Sequence, residues 1–203
     1  SGKDLQAVGI DQIEDLQSAV PGLSISNQEG NVQIYIRGVG TANNTELGDP
    51  SAATHLNGVY LPRPRGLGGM FFDIARVEIA KGPQGTLRGR NAVAGTLNII
   101  PNMARLGERL GYVQGEVGTL ETTGYEAAIN LPIGDVQAVR LAVYGVDRGT
   151  AYKNVGDDKT LDPTGIQELF SARASYLYQP NDRFKLSLMG DYESERGTGY
   201  PAT

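Results

Sequence analysis

The sequence predicts an α+β domain followed by a series of antiparallel β-strands, and three observations support this fold class. Glycine accounts for 28 of the 203 residues, about twice the usual ~7%, which favours many tight turns. Residues 1–104 mix short helical and strand patterns with glycine-rich loops. From about residue 110 onward, apolar and polar residues alternate with a period of two, which is typical of strands with two different faces.

Composition and charge exclude several classes of protein. The net charge of −5 argues against a nucleic-acid partner, which normally requires a basic surface. With a single histidine and no cysteine, most catalytic triads and zinc sites cannot be built. Lys81 precedes the neighbouring glycines, so the order of a phosphate-binding loop is missing. We therefore expect a protein that is not an enzyme, with no metal site and no cofactor.

One helix is predicted near the N-terminus. Within residues 11–20, Ile13, Leu16 and Val20 recur at helical spacing. Asp11 is the expected N-cap, and Glu14 is its expected partner in a capping box. The Pro-Gly pair that follows is expected to end the helix.

Four strands and one helical turn are predicted in the rest of the first hundred residues. Alternating or apolar runs indicate strands at residues 32–37, 56–61, 77–80 and 96–100. Residues 91–95 are expected to form a single helical turn.

Five longer strands are predicted in the second half, at residues 110–118, 122–132, 137–148, 168–179 and 183–195. The connections at 132–135 and 179–182 are short, whereas residues 148–167 form a long polar segment. Short turns on one side and long loops on the other are typical of outer-membrane β-barrels. A soluble antiparallel sandwich also alternates, so periodicity alone leaves both architectures open. Five strands do not close a barrel, so the barrel interpretation makes this chain part of a longer one.

Three motifs, in order, carry a resemblance to a known family. They are IYIRG at residues 34–38, NGVY at 57–60, and DIARVEIAKGPQGTLRGRNAVAGTLNII at 73–100. Together with the opening segment, they resemble the plug domain of TonB-dependent receptors, although Asn57 stands where the family usually has aspartate. The resemblance implies a plug domain at residues 1–104. Residues 105–203 are then about the first five strands of a 22-stranded outer-membrane β-barrel.

The resemblance also implies a set of structural residues in the plug. The plug-seating and motif residues are Arg37, Gly38, Asn57, Gly58, Arg76, Glu78, Gly82, Pro83, Gly85, Gly89, Arg90, Asn91 and Gly95. By the resemblance, Arg37 and Arg76 face carboxylates of the barrel wall. Glu78 follows Arg76 by two residues, so the pair shares a strand face and can form a latch with Arg37. The alternative is a simple surface ion pair, worth under ~1 kcal/mol.

Two loops of the plug are expected to face the ligand. Their candidate contact residues are Asn43, Asn44, Glu46, Asp49, His55, Arg63, Arg65, Met70 and Phe71. Arginine and aromatic side chains suit an anionic chelate or a sugar. The alternative is that both loops are polar connectors, and His55 favours a structural role over metal ligation.

The function implied by the resemblance is active import across the bacterial outer membrane. The expected ligand is a scarce small molecule, most commonly a ferric siderophore, with cobalamin or an oligosaccharide as alternatives. The expected partners are TonB of the inner membrane and outer-membrane lipid, with the plug reached from the periplasm and the long loops extracellular. The TonB box that contacts TonB is not recognisable in this sequence. A passive pore or adhesin, or a soluble periplasmic binding module, remains an alternative at this stage.

Overall fold

The computed structural model describes residues 2–28, 31–41, 49–62, 66–85, 91–149 and 167–197. It divides into two compact units, Ser1–Asn102 and Met103–Thr203. The expected boundary after residue 104 lies two residues beyond this division. None of the helices in the described ranges is both long enough and apolar enough to cross a membrane.

Within its described residues, the first unit contains three short helices and six strands whose bounds can be given. In chain order these are α1 (Gly2–Ala7), a 3-10 helix (Ile13–Asp15), α2 (Leu16–Ala19), β1 (Leu23–Gln28), β2 (Asn31–Ile36), β3 (Ala52–Leu56), β4 (Val59–Leu61), β5 (Ile74–Lys81) and β6 (Gly95–Pro101). Strands β1 and β2 form an antiparallel hairpin. The other four form a sheet in the order β4-β3-β6-β5, in which β3 and β6 are parallel.

The core of the first unit lies on the two central strands of the four-stranded sheet. All five residues of β3 are buried, and Leu97 and Ile99 of β6 are fully buried. A strand covered on both faces has a continuous apolar run instead of an alternating one. On β6 this accounts for the adjacent apolar residues Ile99 and Ile100, whereas Thr96 and Asn98 are buried polar residues.

The N-terminal region differs from the helix predicted at residues 11–20. Ile13 and Leu16 are buried as the spacing predicts, but the segment is divided into a 3-10 turn and the four residues of α2. The predicted capping box is wrong, because Gln12 is the N-cap and its backbone N–H donates to Asp15 Oδ2 at 2.9 Å. The carboxylate of Asp15 therefore occupies the role expected of Glu14. Helix α1 was not predicted.

The strands predicted at residues 32–37, 77–80 and 96–100 correspond to β2, β5 and β6. The single strand predicted at residues 56–61 is wrong, because Asn57 and Gly58 form a turn between β3 and β4. Their φ angles are 50° and 81°, a left-handed conformation that suits asparagine and glycine and ends a strand. The predicted helical turn at 91–95 is also wrong, since Asn91 has a φ of 65° and Gly95 one of 147°.

The second unit is an antiparallel sheet of five consecutive strands. These are β7 (Leu110–Val117), β8 (Thr123–Ile133), β9 (Gln137–Arg148), β10 (Gln167–Asn181) and β11 (Phe184–Gly197). Each strand pairs with its neighbours in sequence, and the bounds agree with the predicted strands to within two residues. Gly134 supplies the left-handed turn between β8 and β9, with a φ of 63°.

Candidate functional site

The first candidate site is one face of the five-stranded sheet, which is apolar and exposed. Side chains alternate between the faces of a strand, and the register places every second residue of β7 to β11 together on this face. Its large members are between 38% and 82% exposed: Val113, Tyr125, Ile129, Leu131, Leu141, Phe170, Leu186, Leu188 and Tyr192. We call this surface the apolar face.

On β8, β9 and β10 the opposite face of the same sheet is buried or half-buried, and it carries several polar side chains. Its members are at most 9% exposed: Ala128, Asn130, Ala138, Arg140, Ala142, Ser171, Arg173, Ser175 and Leu177. We call this surface the polar face. The Nε of Arg173 lies 2.5 Å from Asp191 Oδ1, and the two side chains are 2% and 18% exposed. A buried guanidinium is tolerated only with such a partner.

The two faces decide between the architectures that periodicity left open. A water-soluble sandwich buries its apolar face and exposes its polar face. This sheet does the reverse, with leucine and isoleucine outside and arginine and asparagine inside. The same inversion is the signature of a transmembrane barrel, where lipid contacts the apolar side chains. The apolar face therefore has the composition expected of a lipid-contacting surface.

Aromatic residues flank the apolar face at both ends. At the end near residues 149–167, the rings of Phe170 and Tyr192 are 6.3 Å apart. At the other end, the rings of Tyr178 and Phe184 are 6.1 Å apart. Phe170 and Tyr178 are eight residues apart on β10, or about 26 Å along the strand and about 20 Å along the normal for a tilt near 40°. This separation suits the two interfaces of an outer membrane.

Glycine and tyrosine are complementary at one edge of the apolar face. A Cβ on Gly145 would lie 2.6 Å from the ring of Tyr125. The two residues are directly opposite each other across β8 and β9. The ring therefore lies over backbone that only glycine leaves accessible, an arrangement that covers a weak point in a strand.

The second candidate site is a polar network in the first unit. Asn98 on the central strand β6 accepts a hydrogen bond from Gly58 N at 3.0 Å through Oδ1. Its Nδ2 donates to Glu78 Oε2 at 3.1 Å, and the other carboxylate oxygen of Glu78 lies 2.9 Å from Arg76 Nε. One asparagine side chain thus connects the β3–β4 turn, β6 and β5. We call these four residues the Asn98 network.

The structure places the two arginines singled out by the sequence on the surface. Arg76 and Glu78 form a local pair with side chains 55% and 44% exposed. Arg37 is exposed, has a left-handed φ of 54°, and donates its backbone N–H to Gly22 O at 2.6 Å. Among the described residues it makes no ion pair with Glu78. The predicted sharing of a network between Arg37 and the Arg76 pair is therefore absent from the described ranges.

Most of the remaining motif residues form turns. Gly38 and Gly82 have φ angles of 78° and 100°, and Pro83 and Gly85 lie just after β5. Asn91 donates its Nδ2 to Tyr60 Oη at 2.8 Å. Gly89 and Arg90 lie outside the described residues.

Gly95 is fixed by close packing between strands. A Cβ there would lie 2.2 Å from Ala80 O, so β5 and β6 can pair at this point only around glycine. The backbone conformation of Gly95 also requires glycine, because its φ is 147°, a value that other residues rarely adopt.

The predicted ligand-facing residues divide into three groups. Asn43, Asn44, Glu46, Arg63 and Arg65 lie outside the described residues. Asp49 is exposed and Met70 is half-buried, so a ligand contact by either stays a prediction. His55 and Phe71 were expected on exposed loops and are instead buried at 4% and 6% exposure, so that placement is corrected.

His55 is buried because β3 begins at Ala52, four residues before the strand expected from the sequence. Its ring packs against Tyr60 with centroids 5.7 Å apart. Sequence analysis also missed Asn98, Asn130 and Arg173. In a strand that alternates, a buried polar residue and a solvent-exposed one give the same pattern.

Comparisons with known proteins agree with this geometry. A family model described as TonB-dependent Receptor Plug Domain matches residues 1–96. The pesticin receptor of Yersinia pestis is 31% identical over 179 residues, which cover 86% of this chain and 25% of that protein. The catecholate siderophore receptor Fiu of Escherichia coli K12 is 30% identical over 152 residues, covering 68% of this chain and 17% of that protein. This chain thus spans at most a quarter of the curated relatives named here.

Solved structures show the same fold. The ferric yersiniabactin uptake receptor FyuA from Yersinia pestis superposes with a TM-score of 0.80 at 23% identity, over 98% of this chain and 31% of that one. The ferric-catecholate import receptor Fiu from E. coli K12 superposes with a TM-score of 0.70 at 24% identity, over 96% of this chain and 26% of that one.

Proposed function

This chain belongs to the TonB-dependent receptor family, and we propose that the protein containing it imports a ferric siderophore across the bacterial outer membrane. Its fold is an α+β plug unit followed by antiparallel strands of an outer-membrane barrel. The family consists of receptors that transport ligands and not of enzymes.

The observation that carries the proposal is the inverted sheet of the second unit. A lipid-contacting apolar face and a buried polar face suit a wall that separates a bilayer from a polar lumen. A soluble binding module would have no reason to expose Ile129, Leu141 and Leu188 together.

Similarity to named receptors supports the class of ligand. The relatives are named for pesticin and for catecholate siderophores, and a structural neighbour is a ferric yersiniabactin uptake receptor. An iron chelate is therefore the substrate class that we assign.

In this proposal, the first unit acts as the plug that gates the lumen, and the second unit begins the barrel wall. TonB is the partner that rearranges the plug, through a TonB box. The Asn98 network is the latch, because its hydrogen bonds connect the β3–β4 turn with β6 and β5, which a rearrangement must separate. Arg37 and Arg76 are exposed, which leaves their guanidinium groups accessible for seating the plug against carboxylates.

Uptake measurements test the proposal. Cells that lack the gene, grown under iron limitation, are supplied with 55Fe bound to yersiniabactin, to a catecholate siderophore or to a hydroxamate siderophore. We expect accumulation of at least one chelate to fall to background in the deletion strain and in a tonB deletion strain. Complementation with the intact gene is expected to restore uptake in the first strain alone.

Two results would contradict the proposal. Unchanged uptake of all three chelates, with loss of cobalamin or oligosaccharide uptake, would replace the iron chelate as the substrate class. Uptake that depends on the gene but continues without TonB would indicate a passive pore.

A further inference from the structure

The first residues of the second unit, 103–109, precede β7 and are held against the polar face of the five-stranded sheet. We call them the link segment. The backbone N–H of Ala104 donates to Ser175 Oγ at 2.9 Å, in a buried hydrogen bond. The backbone N–H of Arg105 donates to Asn130 Oδ1 at 2.9 Å. Two consecutive backbone donors of the link segment are thus bound by side chains of β10 and β8.

Asn130 uses both ends of its amide on this segment. Its Nδ2 donates to Arg105 O at 2.9 Å and to Glu108 O at 2.6 Å. The side chain therefore makes three hydrogen bonds to the link segment, and it is only 1% exposed. A buried amide bonded at both ends is fixed in orientation, because any rotation would leave buried polar groups without partners.

Apolar packing accompanies these hydrogen bonds. Ala104 is buried in a small cluster with Ala138 and Leu177 of the polar face, and Leu106 packs against the same cluster. Small residues on the sheet allow the backbone of the link segment to approach closely. Hydrogen bonds and burial thus act on the same few residues.

Asn102, the last residue of the first unit, is hydrogen-bonded within that unit. Asn102 donates its backbone N–H to Asp73 O at 2.8 Å and its Nδ2 to Asp73 Oδ1 at 2.9 Å. Only Met103 separates this attachment from Ala104. The chain is therefore fixed to one unit before Met103 and to the other unit directly after it.

We propose that Asn130 and Ser175 are positioning residues that keep the link segment attached to the wall while the plug rearranges. This inference rests on the proposed import function, in which a pull on the N-terminal side displaces the plug. The pull then acts up to Asn102, and the link segment remains part of the wall. The C-terminal end of the plug therefore stays attached to the wall through the link segment when the rest of the plug is displaced.

Hydrogen exchange at single amides tests the attachment in the intact receptor, without ligand or TonB. Ser175 and Ser171 form a matched pair, because they lie on the same face of β10 and are 4% and 1% exposed. Ser171 Oγ makes no hydrogen bond among the described residues. We expect Ser175→Ala to accelerate exchange of the Ala104 amide about tenfold or more. Ser171→Ala is expected to leave that amide unchanged.

Force measurements test the consequence. The receptor in a lipid membrane is pulled from its N-terminus, and the length of chain released before any wall strand leaves is recorded. In the wild type the released chain is expected to end before residue 103. The double variant Asn130→Ala/Ser175→Ala is expected to release seven more residues, about 25 Å of extended chain. Should the double variant fail to fold, Ser175→Ala alone is compared, since it removes one hydrogen bond.

Each outcome decides the inference. Fast exchange of Ala104 in the wild type, or equal effects of the two serine variants, would overturn it. A wild-type release that already includes the link segment would overturn it as well. Neither the exchange measurement nor the pulling measurement uses a substrate. A negative uptake experiment therefore does not change their results, and a negative result from either of them does not change the uptake result.

Discussion

Replacing Ile129 with arginine measures whether the apolar face contacts lipid. Ile129 is 44% exposed and lies on β8 opposite Leu141, which is 46% exposed. It is four residues from Tyr125 and four from Ile133, so it lies midway along the strand. In the membrane account this position is near the centre of the bilayer.

The expected loss of folding free energy depends on how deep the substituted residue lies in the bilayer. An arginine on the lipid face of a barrel costs about 2–4 kcal/mol at the midplane and about 0–1 kcal/mol near an interface. Ile129→Arg is therefore expected to lower the folded-to-unfolded ratio roughly 30- to 700-fold. Thr123→Arg is the matched control, because Thr123 begins the same strand on the same face. It is expected to change the ratio less than about sixfold.

The assay is folding of the intact receptor into lipid vesicles across a urea series. The folded fraction is read from heat-modifiable gel mobility, and the midpoints of the two variants are compared with wild type. A water-soluble protein would tolerate either exposed substitution within about 0.5 kcal/mol. Equal midpoints for both variants and wild type would refute the lipid assignment of this face.

Three further predictions concern Gly95, Asn98 and Gly145. Gly95→Ala is expected to disrupt the pairing of β5 with β6 and to increase protease cleavage of the first unit, whereas Gly85→Ala, where a Cβ meets nothing within 4 Å, is expected to be neutral; equal cleavage would contradict this. Asn98→Ala removes two part-buried hydrogen bonds that join β6 to the β3–β4 turn and to β5, and it is expected to destabilise the first unit by about 1–3 kcal/mol in urea melts. Arg76→Gln removes an exposed pair worth under ~1 kcal/mol, and a larger effect from it would show that the pair is the stronger element. Gly145→Val is expected to displace the ring of Tyr125 and to lower the thermal midpoint of the receptor. In a Tyr125→Ala background, the same substitution is expected to lower the midpoint less.

The strands of the second unit were predictable because each alternates over more than seven residues. Period two is a strong signal at that length, and turn residues such as Gly134 mark the ends. What the pattern could not supply is which face is buried. An inverted sheet and an ordinary one have the same alternation, and only the exposed positions of Ile129 and Leu141 in the structure distinguish them.

The first unit was harder to predict because its elements are short and tertiary contacts determine their bounds. The hairpin turn at Asn57-Gly58 was read as the interior of a strand, since the flanking residues are apolar. The same pattern predicts that the strand begins at residue 56 and leaves His55 on the preceding loop, whereas β3 begins at Ala52. Motif residues such as Gly95 were identified through the family resemblance, and the close approach to Ala80 gives the physical reason for that glycine.

The polar contacts that organise the site were beyond sequence reasoning. Asn98 and Asn130 each join segments that lie 20 to 40 residues apart in sequence. No local periodicity encodes such a pairing, because the side chain gives the same pattern whether its partner is water or backbone.

Spin-label accessibility along β8 tests the central claim most directly. Single cysteines placed from residue 125 to residue 133 of the receptor in vesicles carry a nitroxide, and collision with dissolved oxygen is compared with collision with a water-soluble nickel chelate. The account predicts a period of two, with Tyr125, Ala127, Ile129 and Leu131 favouring oxygen most strongly near Ile129. A flat profile, or preferential collision of the nickel chelate at Ile129, would contradict it.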